Sequence, residues 1–440
     1  MNKTLTNPRR PSGFNEYLPH EQIEFNRLLD IVRRTYESYG YSPIDTPDLE
    51  LSEVLLAKGG GETEQQIYRF TRGKNDLSMR FDLTVPLARY VAEHENDLVF
   101  PFRRYHIGKV HRAERAQAGR FREFYQCDID VIGSESSTID AEFPAVINDI
   151  FEKFNFGEFT IRLNNRLVLN GFFESLGLTD VSADVLRVID KIEKITPEEV
   201  KSELANIGLS GMQIGQVLTF TQIQGDNNEI LNSLETLEVK NETFRNGVVK
   251  LRELVQALRN MGVPEKRFII DLKIARGLDY YTGTVYETIL NDLPGVGSVC
   301  SGGRYDNLAG NYTKTNLTGV GISIGLSRLF YKLSEAGVIK PTQQSVAQVI
   351  VMPLDQTAIN RALEVASGLR EIGTPTILHV EPGTMKKKFR YADRMGCRFV
   401  VVIGENELAS NKLSVKDMHS GDSREVSFED AKRIIVNATE

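Results

Sequence analysis

Cysteine is scarce. The 440 residues carry three, Cys127, Cys300 and Cys397, scattered along the chain. Three thiols build neither a disulfide framework nor a four-thiolate zinc site. The six histidines show no zinc-ligand spacing and H-E-x-x-H is missing, so no protein-held metal site is expected. Also missing are the phosphate loop G-x-x-x-x-G-K-[ST] and the dinucleotide fingerprint G-x-G-x-x-G. No apolar run has bilayer-spanning length, and no membrane role is expected. The N-terminal stretch lacks a signal-type apolar core, and with so few thiols a cytoplasmic location is expected. An excess of positive charge is missing too: 53 basic against 60 acidic residues leave −7. That excludes a globally basic nucleic-acid coat. Local basic surfaces remain open, because phosphate attraction fades within roughly 8–10 Å.

What is present is a globular mixture, 41% apolar and 26% charged, which argues against a mostly disordered chain. The length predicts two to four domains. Phe25, Leu28, Leu29, Val32 and Tyr36 recur at helical spacing, predicting a helix over 21–40 closed by Gly40. Pro43 and Pro47 then forbid a helix and favour an extended edge strand. Residues 63–133 alternate with period two and read as antiparallel strands, interrupted by a helix near Val85–Glu95. A helix over 140–156 and a strand over 158–164 follow. Residues 171–263 are helical in period. Strand character returns at 267–290 and 298–302, and 319–333 reads as a buried strand running into a helix. After Pro341, short apolar strands alternate with helices, predicting a small α/β domain with a largely parallel sheet. The expected partition is residues 1–170 with 264–335 as one domain, 171–263 as a helical insertion, and 341–440 as a separate domain.

Three segments carry chemistry. Between Phe102 and Tyr125 stand seven Lys or Arg and two Glu, so that stretch is +5 inside an acidic chain. Period two puts Gln126, Asp128 and Asp130 on one face of a strand, and Arg104, His106 and Arg112 on one face of the strand before it. Antiparallel pairing would bring Arg112 beside Gln126 and Asp130, where a guanidinium fork suits phosphate or carboxylate. A hairpin with one solvated face is the plainer alternative. The second segment is ARGLDYYTGTVYE, residues 275–287, followed by SGGRYDNL, residues 301–308. It sets Arg276, Tyr280 and Tyr281 at a turn entering a strand, with Gly302-Gly303 permitting close backbone approach. The third is GVGISIGLSRLFYKL, a strand of small and β-branched residues meeting a helix that carries Arg328.

In their order and spacing these segments resemble class II aminoacyl-tRNA synthetases, and in detail the histidyl-tRNA synthetase family. The strand with Pro47 is similar to the first class motif, Arg112 with FREFYQCDIDVIG to the second, and GVGISIGLSRL with Arg328 to the third. RGLDYYTGTVYE and SGGRYDNL are similar to two signatures of the histidine enzymes, and MRFDLTVPLARY also matches. TMKKKFRYADRMGCRFVVVIGENEL resembles the anticodon-binding domain. The resemblance implies an α+β catalytic domain with a mostly antiparallel sheet flanked by helices, a helical insertion, and a C-terminal α/β anticodon-binding domain. It implies two steps: L-histidine and ATP give histidyl-adenylate and pyrophosphate, and the histidyl group then moves to the 3′ end of tRNA(His). ATP with Mg²⁺, histidine and tRNA are the implied ligands, and a homodimer the implied assembly.

By the same resemblance Arg112, Arg276 and Arg328 hold the triphosphate and are the catalytic cations. Asp82, Leu83, Thr84, Gln126, Asp130, Tyr280 and Tyr281 hold histidine. Arg115, Gln117 and Arg120 reach the tRNA acceptor end, and Lys387 and Arg390 the anticodon. Many bacterial members carry Glu where this chain has Asp82 and Asp130, and DLTVP with FYQCDID look closer to the eukaryotic type. Ser327 stands where an acid often precedes the last arginine. The alternative is a non-catalytic, synthetase-like regulatory subunit of ATP phosphoribosyltransferase. Such paralogues usually lack the anticodon domain.

Overall fold

The computed structural model describes residues 5–57, 62–115, 119–275, 281–306 and 309–438. Two compact units emerge: Met1–Asn15 with Leu29–Ile339, and Glu16–Leu28 with Lys340–Glu440. The N-terminal helix Pro19–Ser38 contributes to both.

The first unit is built on an eight-stranded sheet: β1 (Ser42–Pro43), β2 (Phe102–His111), β3 (Glu123–Ile132), β4 (Phe159–Asn165), β5 (Phe268–Ile270), β6 (Thr284–Leu290), β7 (Cys300–Tyr305) and β8 (Gly319–Ile324). The spatial order is β1-β2-β3-β8-β7-β6-β4-β5. Pairing is antiparallel except at the two edges, β1 with β2 and β4 with β5. Pro43 therefore sits in an edge strand, as expected for a residue without an amide donor, while the strand expected to include Pro47 is corrected: Pro47 lies outside the strands. A small antiparallel sheet, Leu49–Leu51, Arg69–Arg72 and Asn75–Met79, stands apart from this one.

Register decides what the sheet can hold. Asp130 on β3 lies opposite Arg104 on β2 and Gly321 on β8, and Gly321 lies opposite Gly303 on β7. The next row carries Asp128, Ser323 and Ser301. Polar and small residues thus share one face over three strands. The opposite face takes Cys127, Ile129 and Val131, none of them exposed.

The helical segment begins earlier than its periodicity suggests, at Arg166 rather than 171, because Asn165 caps the first helix by accepting from the Leu167 amide. Helix Glu242–Asn260 crosses helix Arg166–Ser175 backbone to backbone. A Cβ on Gly171 would sit 2.3 Å from the Phe244 nitrogen, and one on Gly247 2.5 Å from the Val168 nitrogen. Three helices here open with capping boxes, Thr196/Glu199, Ser210/Gln213 and Asp226/Glu229.

The second unit carries a five-stranded sheet: β9 (Val349–Pro353), β10 (Thr376–Leu378), β11 (Phe399–Ile403), β12 (Leu413–Asp417) and β13 (Ser423–Val426), ordered β10-β9-β11-β12-β13. Both faces are covered: Val349 and Val351 pack with Ala362 and Leu369, while Ile350 and Met352 pack with Ala392 and Cys397. This explains unbroken apolar strands. The expectation of a largely parallel sheet is corrected here. Only β9 pairs in parallel, with β10 and β11; β11/β12 and β12/β13 are antiparallel. Residues 404–412 and 418–422 are too short for a parallel crossover, which needs a dozen or more.

Gly302 faces away from the polar row, and a Cβ there would lie 2.1 Å from the Gly321 carbonyl oxygen. Gly302→Ala is expected to destabilise the protein by about 1–3 kcal/mol, since backbone must move. Denaturant unfolding checks it; a loss under about 0.5 kcal/mol would mean the strands can separate freely.

Candidate active site

A cavity of about 520 Å³ lies over the polar face of the main sheet. Its floor is Gln126, Asp128 and Asp130 with Gly321 and Ser323. Both glycines of the row make room. A Cβ on Gly321 would fall 2.0 Å from Asp130 Oδ1, and one on Gly303 2.9 Å from the Tyr281 ring. Gly319 does the same for the Tyr305 ring, 2.3 Å from its would-be Cβ. The G-V-G and S-G-G segments are thus spacers for one carboxylate and two phenols.

Asp130 is gripped on both oxygens. Oδ1 accepts from the Tyr305 hydroxyl at 2.6 Å, and Oδ2 lies 2.5 Å from Nη2 of the fully buried Arg104. Gln126 Nε2 donates to Ser323 Oγ at 2.7 Å, leaving its buried Oε1 with no hydrogen-bond partner. An unmatched acceptor beside a cavity suits a ligand donor such as ammonium. Asp82 Oδ1 accepts from the amides of Thr84 and Val85 at 3.2 and 3.0 Å, which starts helix Thr84–Glu93 and sets Asp82 and Thr84 on the cavity wall.

Arg112 and Arg328 also line the cavity. Arg112 Nε donates to the Phe81 carbonyl at 3.0 Å, and its guanidinium lies 5.1 Å over the Phe124 ring. Arg328 Nη2 donates to the Val296 carbonyl at 2.9 Å. Its helix, Leu326–Glu335, is tied to β3 because Ser327 Oγ accepts from the Tyr125 amide at 2.9 Å. Ser327 therefore has a backbone partner of its own.

Burial shapes the acids. Loss of water raises Asp128 to about 7, against the opposing pull of Arg104. The same desolvation raises Asp130 to about 6, again countered by Arg104. On β2, desolvation lowers His106 to about 3, keeping it neutral near pH 7.

Of the residues expected from sequence, Arg112, Arg328, Asp82, Thr84, Gln126, Asp130, Tyr281 and Arg120 line this one cavity. Leu83 does not line it; its side chain is fully buried in the core. Arg276, Tyr280 and Gln117 lie outside the described residues. Arg115 is exposed. In the second unit Lys387 and Arg390 are exposed on helix Met385–Met395, while Lys388 is buried and donates to the Pro353 carbonyl at 2.6 Å. Phe389 packs into the core there, and Tyr391 is half-exposed beside His379. Four residues escaped assignment: Arg104, Asp128, Ser323 and Tyr305. Alternation along FYQCDIDVI already marks Asp128; the other three depend on strand pairing.

Comparison with known proteins agrees. A family model described as histidyl-tRNA synthetase matches residues 13–329, and one described as anticodon binding domain matches 348–438. A histidine–tRNA ligase of Clostridium tetani is 53% identical, with all of both chains covered. The crystal structure of histidyl-tRNA synthetase from Nostoc sp. PCC 7120 superimposes with TM-score 0.93 at 43% identity, covering 99% of this chain and 100% of that one. A Bacillus halodurans structure described as an ATP phosphoribosyltransferase regulatory subunit/histidyl-tRNA synthetase gives TM-score 0.76 at 20% identity, over 91% and 99% of the two chains. That last likeness is one of fold alone.

The raised Asp128 has a testable sign. Its neutral form is favoured in the fold, so stability present at low pH is lost as pH rises through about 7. The melting temperature of Asp128→Asn relative to the parent is expected to increase from pH 5 to pH 8. A difference independent of pH would show that the carboxyl is not desolvated.

Proposed function

The chain belongs to the histidyl-tRNA synthetase family, and from that membership we propose how its residues divide the work. The reaction is that of a histidine–tRNA ligase: ATP-dependent activation of L-histidine to histidyl-adenylate with release of pyrophosphate, then transfer to the 3′ end of tRNA(His). The full-length match and the anticodon-binding domain favour this enzyme over the regulatory subunit. The observation that carries the division of work is one cavity lined by Asp82, Gln126, Asp128 and Asp130 together with Arg112, Arg120 and Arg328.

Histidine sits against the acids. Neutral imidazole donates from one nitrogen and accepts at the other. Asp130 accepts the ring N–H, and Tyr281 with Tyr280 completes the ring's far side. Asp82, Thr84 and the unmatched Gln126 oxygen take the α-ammonium, with Leu83 contributing backbone. A lookalike lacking the ring donor leaves a buried carboxylate unpaired, at about 1–3 kcal/mol.

ATP lies against the guanidinium groups. Carboxylate attack on the α-phosphorus builds negative charge in line with departing pyrophosphate, and fixed cations are the protein's main contribution. Arg112, held by Phe81 and Phe124, contacts the α-phosphate. Arg276 contacts the same phosphate and the histidine carboxylate. Arg328 meets the γ-phosphate, and Mg²⁺ arriving with ATP screens the outer phosphates. Arg115, Gln117 and Arg120 face the acceptor end of tRNA. Lys387 and Arg390, both exposed, take the anticodon side. These roles assign residues 1–170 and 264–335 to catalysis, 171–263 to an insertion and 341–440 to the anticodon.

The assembly we propose is a homodimer in the cytoplasm. Among the described helices none is long and apolar enough to cross a membrane. The small sheet shows an apolar face, with Leu49, Leu51 and Phe70 each more than 40% exposed. Leu51 and Phe70 flank Leu77 in one cross-strand row. A second copy covering this face would bury it.

Pyrophosphate exchange into ATP is expected with histidine and with no other amino acid. Arg276→Ala should slow that exchange at least about 100-fold, the scale of losing one transition-state charge donor. A change below threefold removes Arg276 from its role.

A further inference from the structure

Arg104 has no assigned part in the reaction, yet among the described residues it is the largest fully buried side chain. Its Nη2 lies 2.5 Å from Asp130 Oδ2, but Nε, Nη1 and Nη2 all lack a hydrogen bond of good geometry. A buried cation so poorly served is costly. Its register explains why it is there: Arg104 stands directly across from Asp130, on the same face and one strand further from the cavity. Pro43 of the edge strand pairs with its neighbour Tyr105, and Ser42 with Arg104 itself. The guanidinium is therefore enclosed, with the Asp130 and Asp128 carboxylates as its anionic surroundings.

We propose that Arg104 is a positioning residue for histidine specificity, holding Asp130 ionised and aimed so that it accepts the ring N–H of the substrate's neutral imidazole. The inference rests on the assignment of Asp130 to the imidazole made above. The geometry divides the carboxylate. Tyr305 takes one lone pair of Oδ1 and Arg104 binds Oδ2 from behind, which fixes the carboxylate plane. Each oxygen keeps a second lone pair, and a charge-assisted acceptor is about twice as strong as a neutral one. Asp is short, so its placement depends on these two partners more than a longer acid's would. Desolvation pushes Asp130 toward its neutral form, and Arg104 pulls the other way. The other groups facing Asp130 are Asp128 on its own strand, His106 on β2, Tyr305 on β7, Tyr281 over Gly303, and Asp82. Asp82 raises it further, and the lowered His106 adds no positive charge near neutral pH. Arg104 is the described cation that opposes neutralisation.

The test is histidine-dependent pyrophosphate exchange by the full-length protein and the variants Arg104→Met, Arg104→Gln, Arg104→Lys and Asp130→Asn. KM for histidine, KM for ATP and kcat are measured from pH 5.5 to 8.5. Arg104→Met and Arg104→Gln are expected to raise the histidine KM at least about 20-fold and the ATP KM less than threefold. The acid limb of kcat/KM for histidine should move to higher pH by at least half a unit. Protonation of the substrate's own ring is common to all forms and cancels in the comparison. Arg104→Lys restores the limb but not the placement of the guanidinium on Oδ2, so its histidine KM should rise three- to tenfold. A folded neutral variant with an unchanged histidine KM, or with equal losses for histidine and ATP, overturns the proposal. If neither neutral variant folds, Arg104→Lys decides, and an unchanged histidine KM there overturns it. Asp130→Asn separates the two layers. If it raises the histidine KM while Arg104 variants do not, only the role of Arg104 falls. If it leaves the KM unchanged, the assignment of Asp130 falls first.

Discussion

The row Arg104–Asp130–Gly321–Gly303 spans four strands and determines where chemistry can occur. A one-residue slip of β3 would turn Gln126, Asp128 and Asp130 away from the cavity and bring Cys127, Ile129 and Val131 onto it. The two glycines allow no side chain in the middle of the row, and the void they leave receives the carboxylate of Asp130 and the Tyr281 ring. Sheet pairing and ligand space are therefore one constraint. β3 holds its register because its other face, Cys127, Ile129 and Val131, is apolar and fully buried.

Around that row the molecule gathers both signs of charge. Acids and a glutamine line one cavity together with guanidinium groups. The combination suits a reaction in which an amino acid, with its ammonium and ring N–H, meets a triphosphate. Three of the charged groups are also tied to backbone, Arg112 to Phe81, Arg328 to Val296, and Asp82 to the Thr84 and Val85 amides. Such ties reduce the freedom lost when substrate binds and leave the groups aimed before it arrives. Ser327 shows the same economy. Its hydroxyl joins the helix of Arg328 to β3, so the two class motifs it links move together.

The helical segment and the second unit follow simpler rules. Close helix crossing through Gly171 and Gly247, and capping boxes at three helix starts, make the helical segment legible as helices though not as a packed body. In the second unit the apolar runs at Val349–Pro353 and Phe399–Ile403 announce buried strands. Strand direction beyond them is governed by connection length, which periodicity does not reveal. The three lysines at 386–388 show the limit of reading charge as surface. Lys388 is buried and spends its donor on a carbonyl of the neighbouring strand, so only its neighbours face solvent.

Period two was enough to set Gln126, Asp128 and Asp130 on one face, and the resemblance of the motifs pointed to the family. Those features are local, or are carried by motifs that read along one strand. The expected place of Arg112 beside Gln126 and Asp130 is corrected by the register, which sets Gly108 and Arg104 opposite them. The partners of Asp130 were not available from local pattern either. Arg104 and Tyr305 lie on strands separated from it by 26 and 175 positions in the chain, and only antiparallel pairing and the space above the glycines bring them to its oxygens. Leu83, between two cavity residues in sequence, turns into the core because the first turn of a helix sends consecutive side chains in different directions. Local pattern determines which residue types share a face; the tertiary structure decides which of them meet, because contact between distant strands depends on register and on volume, and neither is written in any single segment.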